Sequence, residues 1–137
     1  MPKTIPVPDD VSKPFWDAVN ERRLVLQFCT GCNKLQYPPA GRCRKCGSEA
    51  DKLEWSEVQG RGHILETMVV HDTRVVRRKS DVPFNVALIS LDEDPDINFL
   101  SNLPGTPPHL APAHAAVELV FEEVAPGQLI HEWRVIG

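Results

Sequence analysis

The second half of the chain alternates between apolar and polar residues in short runs. Val117, Leu119 and Phe121 share one face of such a run, and Glu118 and Glu122 share the other. A period of two is the pattern of a half-buried strand. Runs of this kind predict five strands, at 63–70, 84–91, 97–102, 117–124 and 129–135. Five short strands in succession predict a small closed barrel of the OB type, with the Pro-rich stretch 103–113 replacing the usual helix between strands three and four.

The first sixty residues show a different pattern. Phe15, Trp16 and Val19 recur at helical spacing after Ser12, the predicted N-cap, and Pro14 in the first turn. This pattern predicts a helix over 13–22. The aromatic pair is expected to pack against the rest of the protein, with a ligand-tunnel wall as the second interpretation. Two further short strands are predicted at 24–28 and 53–58.

Length and composition narrow the fold class. A chain of 137 residues, 42% hydrophobic and 25% charged, is the size of one globular unit and is not disordered by composition. Thirteen prolines and eight glycines leave few windows for a long helix, which excludes a helical bundle. The prediction is a mainly β protein with one short N-terminal helix.

Charge and hydropathy exclude two classes of partner. The net charge of −4 has the wrong sign for a protein that depends on unspecific phosphate contacts. No apolar run approaches the ~20 residues that a membrane span requires, so no membrane association is expected. The first residues lack the apolar core of a signal peptide, which leads us to expect a cytoplasmic protein.

All four cysteines lie in two CxxC pairs, Cys29 with Cys32 and Cys43 with Cys46. Four thiolates at this spacing predict a closed tetrahedral Zn²⁺ site of structural type, as in a rubredoxin-like zinc ribbon. The backbone after such a pair often adopts positive φ, and Asn33 and Gly47 are the residues that tolerate it there. The alternatives are a rubredoxin-like iron site with the same ligands and two separate dithiol redox motifs.

The order of motifs resembles one known family. An aromatic helix precedes the two cysteine pairs, which flank Tyr37-Pro38-Pro39; then come Gly60-x-Gly62, Pro83-Phe84 and Leu91-Asp92. Together they resemble the acyl-CoA-associated zinc-ribbon OB-fold family, from about Phe15 to Arg134. The resemblance implies an N-terminal arm and helix at 1–26, a zinc ribbon at 27–58 and an OB-fold barrel at 59–137.

The family resemblance also implies a function. Its members are small accessory subunits that bind thiolase-type, retro-aldolase or acyltransferase enzymes and help form a CoA-thioester site without supplying a catalytic residue. We therefore expect a hetero-oligomer with a thiolase-type catalytic subunit, acyl-CoA as a shared ligand and no turnover by the chain alone. The residues agree, because no cysteine is left over as a nucleophile and the strand histidines, His63 and His131, are expected to be hydrogen-bonded within the barrel.

Ligand contacts are expected at one basic cluster and at the aromatic pair. The cluster is Arg74, Arg77, Arg78 and Lys79, between the first two barrel strands. Three roles are open for it: contact with CoA phosphates, docking of the partner, or a solvated loop that keeps a sheet edge from pairing. Phe15 and Trp16 are the candidate apolar contacts. The alternative function is a single-stranded nucleic-acid-binding protein; the acidic residues along the predicted strands argue against it.

Overall fold

The structure, a computed structural model, describes residues 5–71 and 83–136. These residues form one α-helix, a three-stranded sheet and a five-stranded sheet. The helix and the strands of the first sheet are α1 (Lys13–Asn20), β1 (Val25–Cys29), β2 (Lys34–Gln36) and β3 (Leu53–Glu57). The second sheet comprises β4 (Arg61–Val70), β5 (Phe84–Leu91), β6 (Asn98–Ser101), β7 (Ala116–Ala125) and β8 (Gln128–Val135). The mainly β fold class is confirmed.

The helix α1 begins where the sequence predicts but is stabilised differently. Ser12 occupies the N-cap position without a side-chain cap; its hydroxyl instead accepts a hydrogen bond from the backbone N–H of Asp9 at 3.0 Å. The Asp9 carboxylate accepts from the Ser12 N–H at 2.7 Å, so the pair closes the turn before the helix. The helix ends at Asn20, two residues earlier than predicted, because Arg22 adopts φ 61° and turns the chain.

The three-stranded sheet has the order β2-β1-β3, with antiparallel pairing throughout. Leu24, which precedes β1, and Leu26 within it are each 1% exposed and join the main core. Cys29, at the end of β1, is fully buried. The central strand of the ribbon therefore links the cysteine region to the hydrophobic core.

The five-stranded sheet has the order β6-β5-β4-β7-β8 and curls into a nearly closed antiparallel barrel of the OB type. Side chains bridge β6 and β8 at the seam. Ser101 Oγ donates to Glu132 Oε2 at 2.6 Å, and the Trp133 N–H donates to Ser101 Oγ at 2.9 Å. The barrel is thus closed by a buried carboxylate and a hydroxyl.

Strand β4 explains the Gly60-x-Gly62 motif. A Cβ on Gly62 would lie 2.5 Å from the backbone oxygen of Ser90 on β5, so the close approach of the two strands excludes a side chain. The register of β4 against β5 shifts between Ile64 and Glu66. The motif is therefore a packing feature of the barrel.

One hydrophobic core runs through all three parts of the chain. It includes Phe15 and Val19 of α1, Leu26 of β1 and, in the barrel, Ile89 and Trp133. Trp55 of β3 is partly buried and packs against the same cluster. Helix, ribbon and barrel share one core.

The Pro-rich stretch between β6 and β7 contains one 3-10 turn, Pro108–Leu110, instead of a helix. Among the described helical segments, none is long and apolar enough to cross a membrane.

Candidate metal centre and aromatic junction

The two CxxC pairs meet in space. The four Sγ atoms of Cys29, Cys32, Cys43 and Cys46 all lie within 4.8 Å of one another. Two short sulfur–sulfur distances each join a cysteine of the first CxxC pair to a cysteine of the second. Cys29 Sγ lies 3.7 Å from Cys46 Sγ, and Cys32 Sγ lies 3.7 Å from Cys43 Sγ. The arrangement is a single four-sulfur cluster.

This geometry fits one tetrahedral metal ion. Sulfurs bound at about 2.3 Å from a zinc ion lie about 3.8 Å apart along the edges of a tetrahedron. The two 3.7 Å separations match that spacing. A redox dithiol would instead need one CxxC pair acting alone. The four cysteines would hold the ion as thiolates and would leave no open position for a catalytic water.

The turns that present the sulfurs need special backbone conformations. Asn33 has φ 57° and Gly47 has φ 77°, the left-handed region predicted for both positions. A Cβ on Gly31 would lie 2.5 Å from Ser48 Oγ, so the first turn packs directly against the second. Hydrogen bonds with the side chain and backbone of Ser48 lower the pKa of the Cys46 thiol to about 6, whereas burial raises the pKa of the Cys32 thiol to about 12.

A buried pair of glutamines, which the sequence pattern did not predict, supports the centre. Gln27, 5% exposed on β1, accepts from the Ala40 N–H at 2.8 Å and donates to the Ala40 carbonyl at 2.9 Å. Gln36 Nε2 donates to Gln27 Oε1 at 2.6 Å, and Gln36 Oε1 accepts from the Arg44 N–H at 3.0 Å. The pair fixes the loop that carries the second cysteine turn. The sequence did contain one sign of this contact, because Gln27 is a polar residue between apolar residues in the predicted strand 24–28.

Helix, ribbon and barrel meet at an aromatic junction formed by Phe15, Trp16, Tyr37, Phe99 and His131. The ring centroid of Phe15 lies 5.6 Å from that of Tyr37 and 5.7 Å from that of His131. Tyr37 lies 4.5 Å from Phe99. Tyr37 follows β2 and precedes a cis peptide bond to Pro38. Burial raises the pKa of its phenol.

An open cavity of about 340 Å³ lies beside this junction. Trp16 and Tyr37 form part of its wall, together with Pro39 and with Asp9 and Ser12 as the polar groups. Its size is at the lower end of the range for small-molecule sites, and its lining is mostly apolar. Phe15 is 2% exposed and Trp16 half-buried, so of the predicted aromatic contacts Trp16 is the more accessible.

The two strand histidines differ. His63 Nδ1 lies 2.7 Å from Asp92 Oδ1 in an exposed pair. His131 Nε2 lies 3.5 Å from Tyr37 Oη, but its buried Nδ1 has no hydrogen-bond partner among the residues that the structure describes. The prediction of hydrogen-bonded histidines is therefore wrong for that nitrogen. Burial lowers the pKa of His131 to about 4 and keeps the ring neutral at pH 7.

The predicted basic cluster lies outside the described residues. Arg74, Arg77, Arg78 and Lys79 all fall between residues 71 and 83. Their role as ligand or partner contacts stays a prediction.

The fold and the cysteine centre together define a class, the zinc-ribbon OB-fold proteins. Two family models match the chain: "ChsH2, rubredoxin-like zinc ribbon domain" over residues 16–52 and "ChsH2, C-terminal OB-fold domain" over residues 55–122. Together the matches cover more than half of the chain, and this protein belongs to the ChsH2-type zinc-ribbon OB-fold family. The resemblance noted from the sequence is confirmed.

Solved structures and a curated relative are similar to the chain. The structure titled "Ltp2-ChsH2(DUF35) aldolase" superposes with a TM-score of 0.81 at 28% identity, over 95% of this chain and 98% of that one. A DUF35 protein of unknown function from Sulfolobus solfataricus has a TM-score of 0.65 at 14% identity, over 93% and 86% of the two chains, and shows the fold alone.

The relative is a probable enoyl-CoA hydratase alpha subunit from Thermomonospora curvata. It is 34% identical over 97 residues, which cover 69% of this chain. The matched part is only 28% of the relative's length. The whole relative therefore contains much sequence beyond the part that resembles this chain.

Proposed function

We propose that this chain is a noncatalytic accessory subunit that binds a thiolase-type or aldolase catalytic subunit and helps form its CoA-thioester site. The observation that carries the proposal is the near full-length similarity to the ChsH2 (DUF35) chain of a solved aldolase. The hydratase relative adds a second link to CoA-thioester chemistry. CoA thioester is then a ligand shared between the two subunits.

The described residues support an accessory role. The chain has four cysteines, and all four lie in the metal centre, so none serves as the thiolate nucleophile of a thiolase. In the proposed complex the nucleophile and base come from the partner.

The barrel also argues against single-stranded nucleic acid as the ligand. Such proteins stack bases on exposed aromatic side chains. The aromatic residues of the described barrel are buried or half-buried: Phe84, Phe99, Phe121 and Trp133. The nucleic-acid alternative is therefore the weaker one.

Co-purification tests the proposal. The chain, tagged and expressed in its native host, is isolated under mild conditions, and its partner is identified by mass spectrometry. We expect a thiolase-type or aldolase subunit in stable association, and cleavage or condensation of CoA thioesters by the complex but not by this chain alone. Steady turnover by the isolated chain, or the absence of such a partner, would contradict the proposal.

A further inference from the structure

One segment of the chain carries no formal charge. From Ile97 to Val117 there is no Asp, Glu, Lys or Arg, although a quarter of the protein is charged. The ionisable side chains in this uncharged segment are His109 and His114. The segment comprises β6, the Pro-rich stretch and the beginning of β7. Depletion of charge is the compositional mark of the centre of a protein–protein interface.

The segment presents apolar side chains to the surface. Leu100 on β6 is 69% exposed, and Leu110 in the 3-10 turn is 61% exposed. Each leucine leaves more than half of its surface in water. Apolar groups displayed among uncharged neighbours favour a protein partner.

Buried polar side chains hold the beginning of this segment in one conformation. Asn85, 4% exposed on β5, accepts from the Leu103 N–H at 2.8 Å and donates to the Thr106 carbonyl at 3.3 Å. Glu132, 5% exposed on β8, accepts from the Asn102 N–H at 2.9 Å. Burial of the Asn85 amide and the Glu132 carboxylate costs free energy unless their polar atoms form hydrogen bonds. The backbone of the segment supplies those bonds.

The remainder of the segment is also fixed. Leu103 is 2% exposed in the core. The Leu110 N–H donates to the Pro107 carbonyl at 3.0 Å, and the Ala115 carbonyl accepts from the Ile64 N–H at 3.0 Å. Prolines restrict the backbone between these points. A loop that is already ordered loses little conformational entropy on binding.

We propose that the uncharged segment is a preformed docking surface on which Leu110 inserts into an apolar, uncharged pocket of the catalytic subunit. The inference rests on the proposed function and names the surface that function would use. The lack of charge on this segment indicates that the partner surface that binds it is also uncharged. This segment offers no Lys or Arg for phosphates and no counterion for a buried charge, so neither nucleic acid nor a charged protein face matches it.

The test measures binding of the purified catalytic subunit, identified as above, to three forms of the full chain. These are the wild type, Leu110→Ser and the matched control Leu65→Ser, which alters a 41% exposed leucine outside the uncharged segment. Burial of a leucine contributes about tenfold in affinity. We expect Leu110→Ser to raise Kd by about tenfold or more in both low and high salt, and Leu65→Ser to leave it within about twofold.

Each other outcome overturns the inference. A Kd within about twofold of wild type for Leu110→Ser, or an equal loss for Leu65→Ser, would remove the segment from the interface. Sedimentation of the chain alone that shows a dimer abolished by Leu110→Ser would assign the surface to a second copy. A wild-type chain that binds no catalytic subunit would instead overturn the proposed function itself. Thermal unfolding and zinc content of each variant show that the fold is intact.

Discussion

His131 shows how one buried side chain makes the stability of the whole protein depend on pH. Its ring lies in the aromatic junction, and burial lowers its pKa from 6.5 to about 4. Between those values the unfolded chain binds a proton that the folded chain does not. Stability therefore falls as pH falls through this window, and it is unaffected by this residue above pH 6.5.

We expect the free energy of unfolding to drop by roughly 3 kcal/mol between pH 6.5 and pH 4 because of His131, at about 1.4 kcal/mol for each pH unit. The variant His131→Phe keeps an aromatic ring and removes the titration. Urea unfolding of both proteins across this range measures the difference. Parallel pH profiles for the two proteins would show that His131 is not the cause.

Cys43 is the second residue whose substitution should have a measurable effect. It is 2% exposed, and its sulfur lies 3.7 Å from that of Cys32. Cys43→Ser should reduce bound zinc from one per chain to well below one and speed amide exchange in the ribbon, because metal binding contributes to folding. Lys45→Ala, in the same turn but exposed, is the control. Red-brown absorbance with stoichiometric iron in the wild type would refute the zinc assignment.

At the scale of the secondary-structure elements, the position of strand β4 depends on Gly62. Ala at position 62 would place its Cβ 2.5 Å from the Ser90 carbonyl oxygen, and backbone on β5 cannot move as a side chain can. Gly62→Ala should lower the free energy of unfolding by about 1–3 kcal/mol. Gly41→Ala, with nothing within 4 Å of its Cβ, should change it little. Equal stability of the two variants in denaturant titration would show that the strands can separate at no cost.

The elements differ in how far the sequence could predict them. Strands β7 and β8 followed from local alternation, and the left-handed turns at Asn33 and Gly47 followed from residue type. The end of α1 did not, because Arg22 adopts positive φ where a glycine would have signalled the turn.

The candidate site was predictable to a similar extent. The four-cysteine cluster followed from spacing alone. The contacts of Gln27 with Ala40 and of Glu132 with Ser101 join residues distant in sequence, and no local pattern encodes them.

The shared core makes helix, ribbon and barrel one unit at the scale of the whole molecule. Phe15 contacts rings from both the ribbon and the barrel. Phe15→Ala should cost about 3–5 kcal/mol, as for other large-to-small core changes, and should destabilise ribbon and barrel together. Asp17→Ala, on the exposed side of the same helix, should have a small effect. Separate unfolding transitions in calorimetry would show that the modules are independent.

The three tryptophans give each part of this shared core its own optical reporter. Trp16 lies on the helix, Trp55 on the ribbon strand β3 and Trp133 on the barrel strand β8. Trp133 is fully buried, while the other two are partly buried, so their emission spectra should differ in wavelength and in quenching by iodide. Proteins that keep one indole at a time, with phenylalanine at the other two positions, would allow fluorescence to follow metal loading and partner binding separately in each part of the chain.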